Sequence, residues 1–136
     1  MTINYWAILA AAVASMIIGG VWYGPIFGKL FMHVQGWDKR SKEENEAMMK
    51  AAKWSYLWQF VASVVMFTVL SFLMYATNAT GQGGAVALAI VIWIGFVVPL
   101  SFGQMLWGGK MTIFWLTIGN MLLTLIVGAA IIGAWK

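Results

Sequence analysis

The sequence predicts an all-α protein: an integral membrane four-helix bundle with a short interfacial helix between spans 1 and 2 and a long second helix extending into the cytoplasm. Three observations carry that prediction. Of the 136 residues, 62% are hydrophobic and 9% charged, against roughly 45–50% and about 25% in ordinary soluble chains, and the mean hydropathy is +0.86. The Asp, Glu, Lys and Arg residues fall in three places, between Lys29 and Lys53, at Lys110 and at Lys136. The uncharged stretches between them are of helix length, since crossing a hydrocarbon core of roughly 30 Å takes about 20 residues. Open strands would leave backbone groups unpaired in lipid, so helices are the remaining solution.

The first span is predicted at residues 5–23. Its positive charge follows the apolar run instead of preceding it, which argues for a retained helix over a cleaved signal peptide. Gly24-Pro25 is expected to end it, because proline disfavours helical geometry in the preceding residue and donates no backbone hydrogen bond. Beyond it Ile26, Phe27, Leu30, Phe31, Val34 and Trp37 recur at helical spacing around Lys29 and His33, the pattern of an interfacial helix. Gly36 is expected to close it, with Asp38-Lys39-Arg40 as the turn. Ser41-Lys42-Glu43-Glu44 then reads as a capping box. From there to Thr77 nothing breaks the helical pattern, so the second span (54–77) belongs to one helix of roughly 54 Å, longer than a bilayer core. The polar, turn-rich run 77–84 separates it from the third span (85–107). Gly108-Gly109-Lys110 leads into the fourth (111–135).

Lys29, Lys39, Arg40, Lys42, Lys50 and Lys53 occupy the connection 24–53 and Lys110 the third connection, while the second has no basic residue. Basic residues are retained on the cytoplasmic side, which predicts both termini outside the cytoplasm. Trp22, Tyr23, Trp54, Tyr56, Trp58 and Trp107 would anchor the inner interface, and Tyr5, Trp6, Tyr75 and Trp135 the outer one. Trp93 and Trp115 lie deeper and are expected to pack between helices.

The composition excludes several chemistries. The chain has no cysteine and one histidine, which removes disulfides, thiolate catalysis and Cys-based metal sites. No span carries an ionisable Asp, Glu, Lys, Arg or His, the residues that coupled transporters and intramembrane hydrolases place at depth. The carboxylates of Glu43, Glu44 and Glu46 sit among lysines on a solvated helical extension. The sequence therefore gives no catalytic residues, metal or cofactor, and no nucleic-acid partner. What remains is uncharged polarity: Ser55, Gln59 and Ser63 in the second span, Ser101 and Gln104 in the third, Thr117, Asn120 and Thr124 in the fourth, of which Gln59, Ser63, Ser101, Gln104, Thr117 and Asn120 are the six candidate site residues. Gln59 and Gln104 lie at matched depth, about 10–12 Å from the midplane at the helical rise, and could face each other. These six residues are either a polar pocket or interhelical hydrogen bonds that fasten the bundle.

Pro99 removes a helical hydrogen bond and presses on the carbonyl of Gly95, four residues back, so a bend is expected in the third helix. Gly95 is expected to admit a neighbour there, and Gly95→Leu to cost roughly 1–3 kcal/mol by overpacking. Ala11, Ala12, Ser15, Gly19 and Gly20 on the first span, and Gly119, Gly128, Ala129 and Gly133 on the fourth, form small-residue faces for close packing. Such faces also serve homo-oligomers.

The assembled motifs resemble a known group. Trp22-Tyr23-Gly24-Pro25 with Ile26-Phe27-Gly28-Lys29, then Gly36-Trp37, then Trp93-Ile94-Gly95-Phe96 and Gly108-Gly109-Lys110, are similar to the bacterial membrane proteins of the domain-of-unknown-function 1761 family. The resemblance covers essentially the whole chain. It implies the fold and a bacterial inner-membrane location, and carries over no reaction, ligand or catalytic residue. The expected function is non-enzymatic, either small-solute permeation or lipophile binding within the bilayer. The alternative is an accessory subunit that packs against itself or other membrane proteins.

Overall fold

The computed structural model describes residues 4–36, 39, 41–79 and 81–135. Its α-helices run α1 Tyr5–Val21, α2 Gly28–Gln35, α3 Lys42–Ala76, α4 Gly81–Ile92, α5 Val98–Leu106 and α6 Met111–Ala134, with π-helical turns over Trp22–Ile26 and Trp93–Val97. Four helical segments are long and apolar enough to cross a membrane: Tyr5–Ile26, Lys42–Ala76, Gly81–Leu106 and Met111–Ala134. They match the predicted spans to within a few residues, apart from the long lead-in of the second.

Local chemistry sets the helix ends. The Asn4 side chain accepts a hydrogen bond from the Ala7 amide at 3.1 Å, capping α1. Gly24-Pro25, expected to stop this helix, instead lies inside its first π turn. Proline leaves one helical carbonyl without its amide partner, and widening the turn lets the Phe27 amide reach the Trp22 carbonyl at 2.9 Å, so the path continues. Helical geometry is lost only at Phe27. α2 ends at Gly36 in the left-handed conformation, φ 75°, as expected of a glycine C-cap. Trp37, Asp38 and Arg40 lie outside the described residues. The Lys110 ammonium donates to the Val34 carbonyl, tying the α5–α6 hairpin to α2.

Ser41 caps α3 as the capping box predicts, its hydroxyl accepting from the Glu44 amide at 3.1 Å. The helix has 35 residues, close to the predicted length, and apart from half-buried Ala52 it is exposed from Lys42 through Gln59. α4 starts at Gly81, inside the run expected to be loop. A tertiary contact overrides the weak helix propensity of its glycines: the Gln82 amide donates to the Ala130 carbonyl at 3.3 Å, and a Cβ on Gly133 would lie 2.7 Å from the Gly81 carbonyl oxygen.

α6 is the central helix, with α1 against one side and α4–α5 against another. The core lies toward the end of the bundle away from α2 and comprises Ile8, Ala11, Ala12, Phe67, Leu70, Ala85, Ala89, Leu125 and Ala129. Phe67 is fully buried, and a Cβ on Gly128 would stand 2.1 Å from its ring. The small face predicted for the fourth span is therefore a contact face, and it is filled from within the chain. The outward surface carries Ile17, Val65, Val69, Phe72, Val91, Phe96 and Leu100, all exposed, an apolar belt far larger than soluble monomers present.

Two expectations need correction. Gly95 and Pro99 are exposed, and a Cβ on Gly95 would meet nothing within 4 Å, so Gly95 admits no neighbour. The strain of Pro99 is taken up by the π turn just before it, which closes through the Val98 amide and the Trp93 carbonyl. Trp115, expected between helices, is 61% exposed and rests edge-on against Phe114.

The two glycines separate cleanly by experiment. Gly128→Ala forces a buried ring to move and is expected to lower stability in detergent by about 1–3 kcal/mol, the overpacking range. Gly95→Leu is expected to change it by less than about 0.5 kcal/mol, as surface substitutions do. Thermal unfolding of both variants checks this, and equal losses would contradict the packing described.

Candidate functional site

Below the core, toward the α2 end, α1 and α3 part and leave a groove of about 610 Å³. Each wall follows from helical spacing. Ser15, Gly19 and Tyr23 lie four residues apart on one face of the first helix, beside Met16, Gly20 and Gly24. Tyr56, Gln59, Ser63 and Met66 form a stripe on α3, and α6 closes the back with Asn120, Met121 and Thr124. Gly20, Gly24, Tyr56, Gln59 and Ala62 are exposed, so the groove opens sideways between α1 and α3. No charged side chain lines it.

Ser15 and Ser63 mark its deep end. The Ser15 hydroxyl lies 2.7 Å from the Ala12 carbonyl and 3.2 Å from Ser63 Oγ, and the Ser63 hydroxyl donates to the Gln59 carbonyl at 3.0 Å. Both hydroxyl protons are thus directed into the protein. Beyond this pair lie Ala11, Ala12 and Phe67 of the core, so the groove is blind at that end. Asn120 is 7% exposed, and its Oδ1 is a buried side-chain oxygen with no hydrogen-bond partner among the described residues. Leaving such an acceptor unmade costs about 1–3 kcal/mol, and an orphan of this kind in a cavity wall marks a place for a donor.

The six predicted polar residues divide between two places. Gln59, Ser63 and Asn120 line the groove. Ser101, Gln104 and Thr117 line a separate cleft of about 110 Å³ beside Lys110 and Phe114. Gln59 and Gln104 do not face each other, because α5 packs on α6 while α3 is exposed at this level. Thr117 lies beside Tyr23, which stands on the groove wall. Gly19 and Gly20 were expected to pack closely, yet a Cβ on either meets nothing within 4 Å. They are the floor of the groove. The Ser15–Gly19–Tyr23 repeat was visible in the sequence, but a small-residue face says only that a neighbour could approach, not that one does.

Trp22 is half-buried and not a simple interface anchor. Its indole N–H donates to the Leu116 carbonyl at 3.0 Å, and that of Trp93 donates to the Ile118 carbonyl at 2.7 Å. Each tryptophan opens one of the two π turns. The paired indoles hold one turn of α6 from both sides, just ahead of Asn120. Among the described residues, no three His, Asp or Glu side chains come together as a metal site requires.

The Trp22 contact can be measured by a double-mutant cycle. A Cβ on Gly119 would lie 3.0 Å from the Trp22 ring. Gly119→Ala is expected to destabilise the wild type but to be neutral or stabilising in a Trp22→Phe background, where alanine's helix propensity prevails by up to about 1 kcal/mol. Additive effects would place the ring elsewhere.

No curated protein and no solved structure matches the chain. The sequence model of the family described as "Protein of unknown function (DUF1761)" matches residues 6–133, nearly the whole length. On that match, together with its four long apolar helices, the chain belongs to the DUF1761 family.

Proposed function

We propose that the four long helices span a bacterial inner membrane with both termini on the non-cytoplasmic side, and that the chain is a non-enzymatic lipophile-binding unit whose site is the groove between α1, α3 and α6. The observation that carries this reading is the unpartnered Asn120 oxygen in the wall of an uncharged groove. A few placed polar groups on largely apolar walls is the usual make-up of a small-molecule site. The core that closes the groove beyond Ser15 and Ser63 supports binding over permeation. An accessory subunit is supported less well, because Gly119, Gly128 and Gly133 of α6 are already filled by Trp22, Phe67 and Gly81.

In this orientation the exposed, charged start of α3 lies in the cytoplasm, the groove sits in the cytoplasmic half of the bilayer, and its side opening faces lipid. Basic residues of the first and third connections support that frame. Single cysteines placed at Gln82 and at Lys42, probed on intact cells with an impermeant thiol reagent, test it. Labelling is expected at Gln82 alone, and labelling at Lys42 would reverse the orientation.

Binding is tested by quantifying small molecules and lipids that co-purify with the wild type and with Gly20→Leu, Asn120→Leu and Gln104→Leu. A Cβ on Gly20 meets nothing within 4 Å, so Gly20→Leu extends into the open groove and also replaces the poorer helix former; the protein is expected to stay folded and empty. Asn120→Leu is expected to lose about tenfold in retained ligand, the equivalent of about 1.4 kcal/mol. Gln104→Leu, in the other cleft, is expected to behave as wild type. A wild type that retains no molecule would overturn the reading in favour of an accessory subunit.

A further inference from the structure

The chemistry of the groove narrows what it takes, on the reading that it binds a lipophile in a membrane. Three features act together. First, its wall carries an acceptor that the protein leaves unmade. The Ser63 hydroxyl donates to the Gln59 carbonyl and the Ser15 hydroxyl lies within reach of the Ala12 carbonyl and Ser63 Oγ, while Asn120 Oδ1 is buried without a partner. A ligand that only accepts hydrogen bonds would leave that oxygen unmade, whereas a hydroxyl or N–H would complete it.

The second feature is depth. α6 runs from Met111 to Ala134, and Asn120 lies two to three residues from its middle, about 4 Å at the helical rise. A phospholipid headgroup stays at the surface of the bilayer and does not reach that level. A neutral, weakly amphipathic molecule that moves within the hydrocarbon does. Third, the groove lacks any charge to pair with an ionic head, and its remaining walls carry Met16, Met66 and Met121, flexible side chains that adapt to a chain of variable conformation.

We propose that the groove binds a neutral, hydroxyl-bearing lipophile, of the class of long-chain alcohols and monohydroxylated lipids, with its hydroxyl donating to Asn120 Oδ1 and its chain leaving between α1 and α3 toward the bilayer. The order of polar groups fits this. The acceptor lies at the back on α6, and the side opening between Gly20, Gly24, Tyr56 and Gln59 lets the tail pass into lipid. Selectivity comes from the donor and not from the length of the chain.

The test uses the full chain in phosphatidylcholine nanodiscs with a diazirine-bearing hexadecanol as photoprobe. Labelled peptides are mapped by mass spectrometry, and 1-hexadecanol or its methyl ether is added as competitor at equal mole fraction. The two competitors differ in the donor and little else. Labels are expected on the groove segments of α1, α3 and α6, with the alcohol competing about tenfold more strongly than the ether, as the loss of one buried hydrogen bond implies. Asn120→Leu is expected to remove that difference, and Gly20→Leu to remove labelling. The wild-type comparison of alcohol with ether needs no variant, so it stands even if Asn120→Leu fails to fold. Equal competition by the two, with labels still in the groove and still lost in Gly20→Leu, would overturn the donor requirement and leave lipophile binding intact. Labels elsewhere on the chain, or groove labels that survive Gly20→Leu, would overturn both.

Discussion

Phe67 lies on the bare backbone of Gly128, and most of the fold depends on contacts of that type along α6. Where a side chain would stand, Gly119 receives the Trp22 ring, Gly128 the Phe67 ring and Gly133 the first turn of α4. In the membrane setting proposed for this chain there is little hydrophobic gain in bringing two apolar helices together, so association would rest on dispersion and on such close approach. A methyl group at Gly128 is enough to remove that approach. The same helix takes two indole N–H bonds on the carbonyls of Leu116 and Ile118. α6 is thus held by shape at one end and by shape plus hydrogen bonds near the other.

The two indoles reach α6 because their helices are not regular. Trp22-Tyr23-Gly24-Pro25-Ile26 and Trp93-Ile94-Gly95-Phe96-Val97 are both π turns opening on tryptophan, with glycine two residues on and a proline in or just after the turn. Proline withdraws an amide, and the turn widens. Through their tryptophans both turns reach α6. They position the central helix.

The span arithmetic survived because it rests on composition over twenty or more residues, where tertiary detail averages out. Charge clusters, the Ser41 cap and the Gly36 stop are local, and each was legible from its own few residues. What could not be read is what faces what. Gly19 and Gly128 look alike in sequence, yet one meets nothing and the other meets Phe67. The difference lies in a residue on another helix, at a distance that no periodicity encodes. The π turns escaped for a related reason: proline announces a lost hydrogen bond but not whether the helix stops, bends or widens in response. Gln59 and Gln104 were expected at similar depth, but depth does not give azimuth, and the two line separate cavities. Ser63 and Asn120 do share a site with Gln59, and the members found only in three dimensions are Ser15, Gly19, Gly20 and Tyr23.

Glycine therefore has two opposite uses in this chain. On α6 the missing side chain admits a partner. On the α2 side of α1 it admits none, and the space stays open because Ser15 and Ser63 hold the two helices at a fixed separation just above it. In water such an apolar groove would be under pressure to collapse, since closing it would remove apolar surface from solvent. In the membrane setting proposed for this chain that pressure is largely absent, because the surrounding chains wet the groove as well as a neighbouring helix would. An open groove then costs little, and the residual cost is concentrated in the one group that lipid tails cannot satisfy, the oxygen of Asn120. A tail fills the volume, but only a donor answers that oxygen. On the proposed reading, the solvent separates occupancy, which any lipid can supply, from recognition, which rests on a single hydrogen bond.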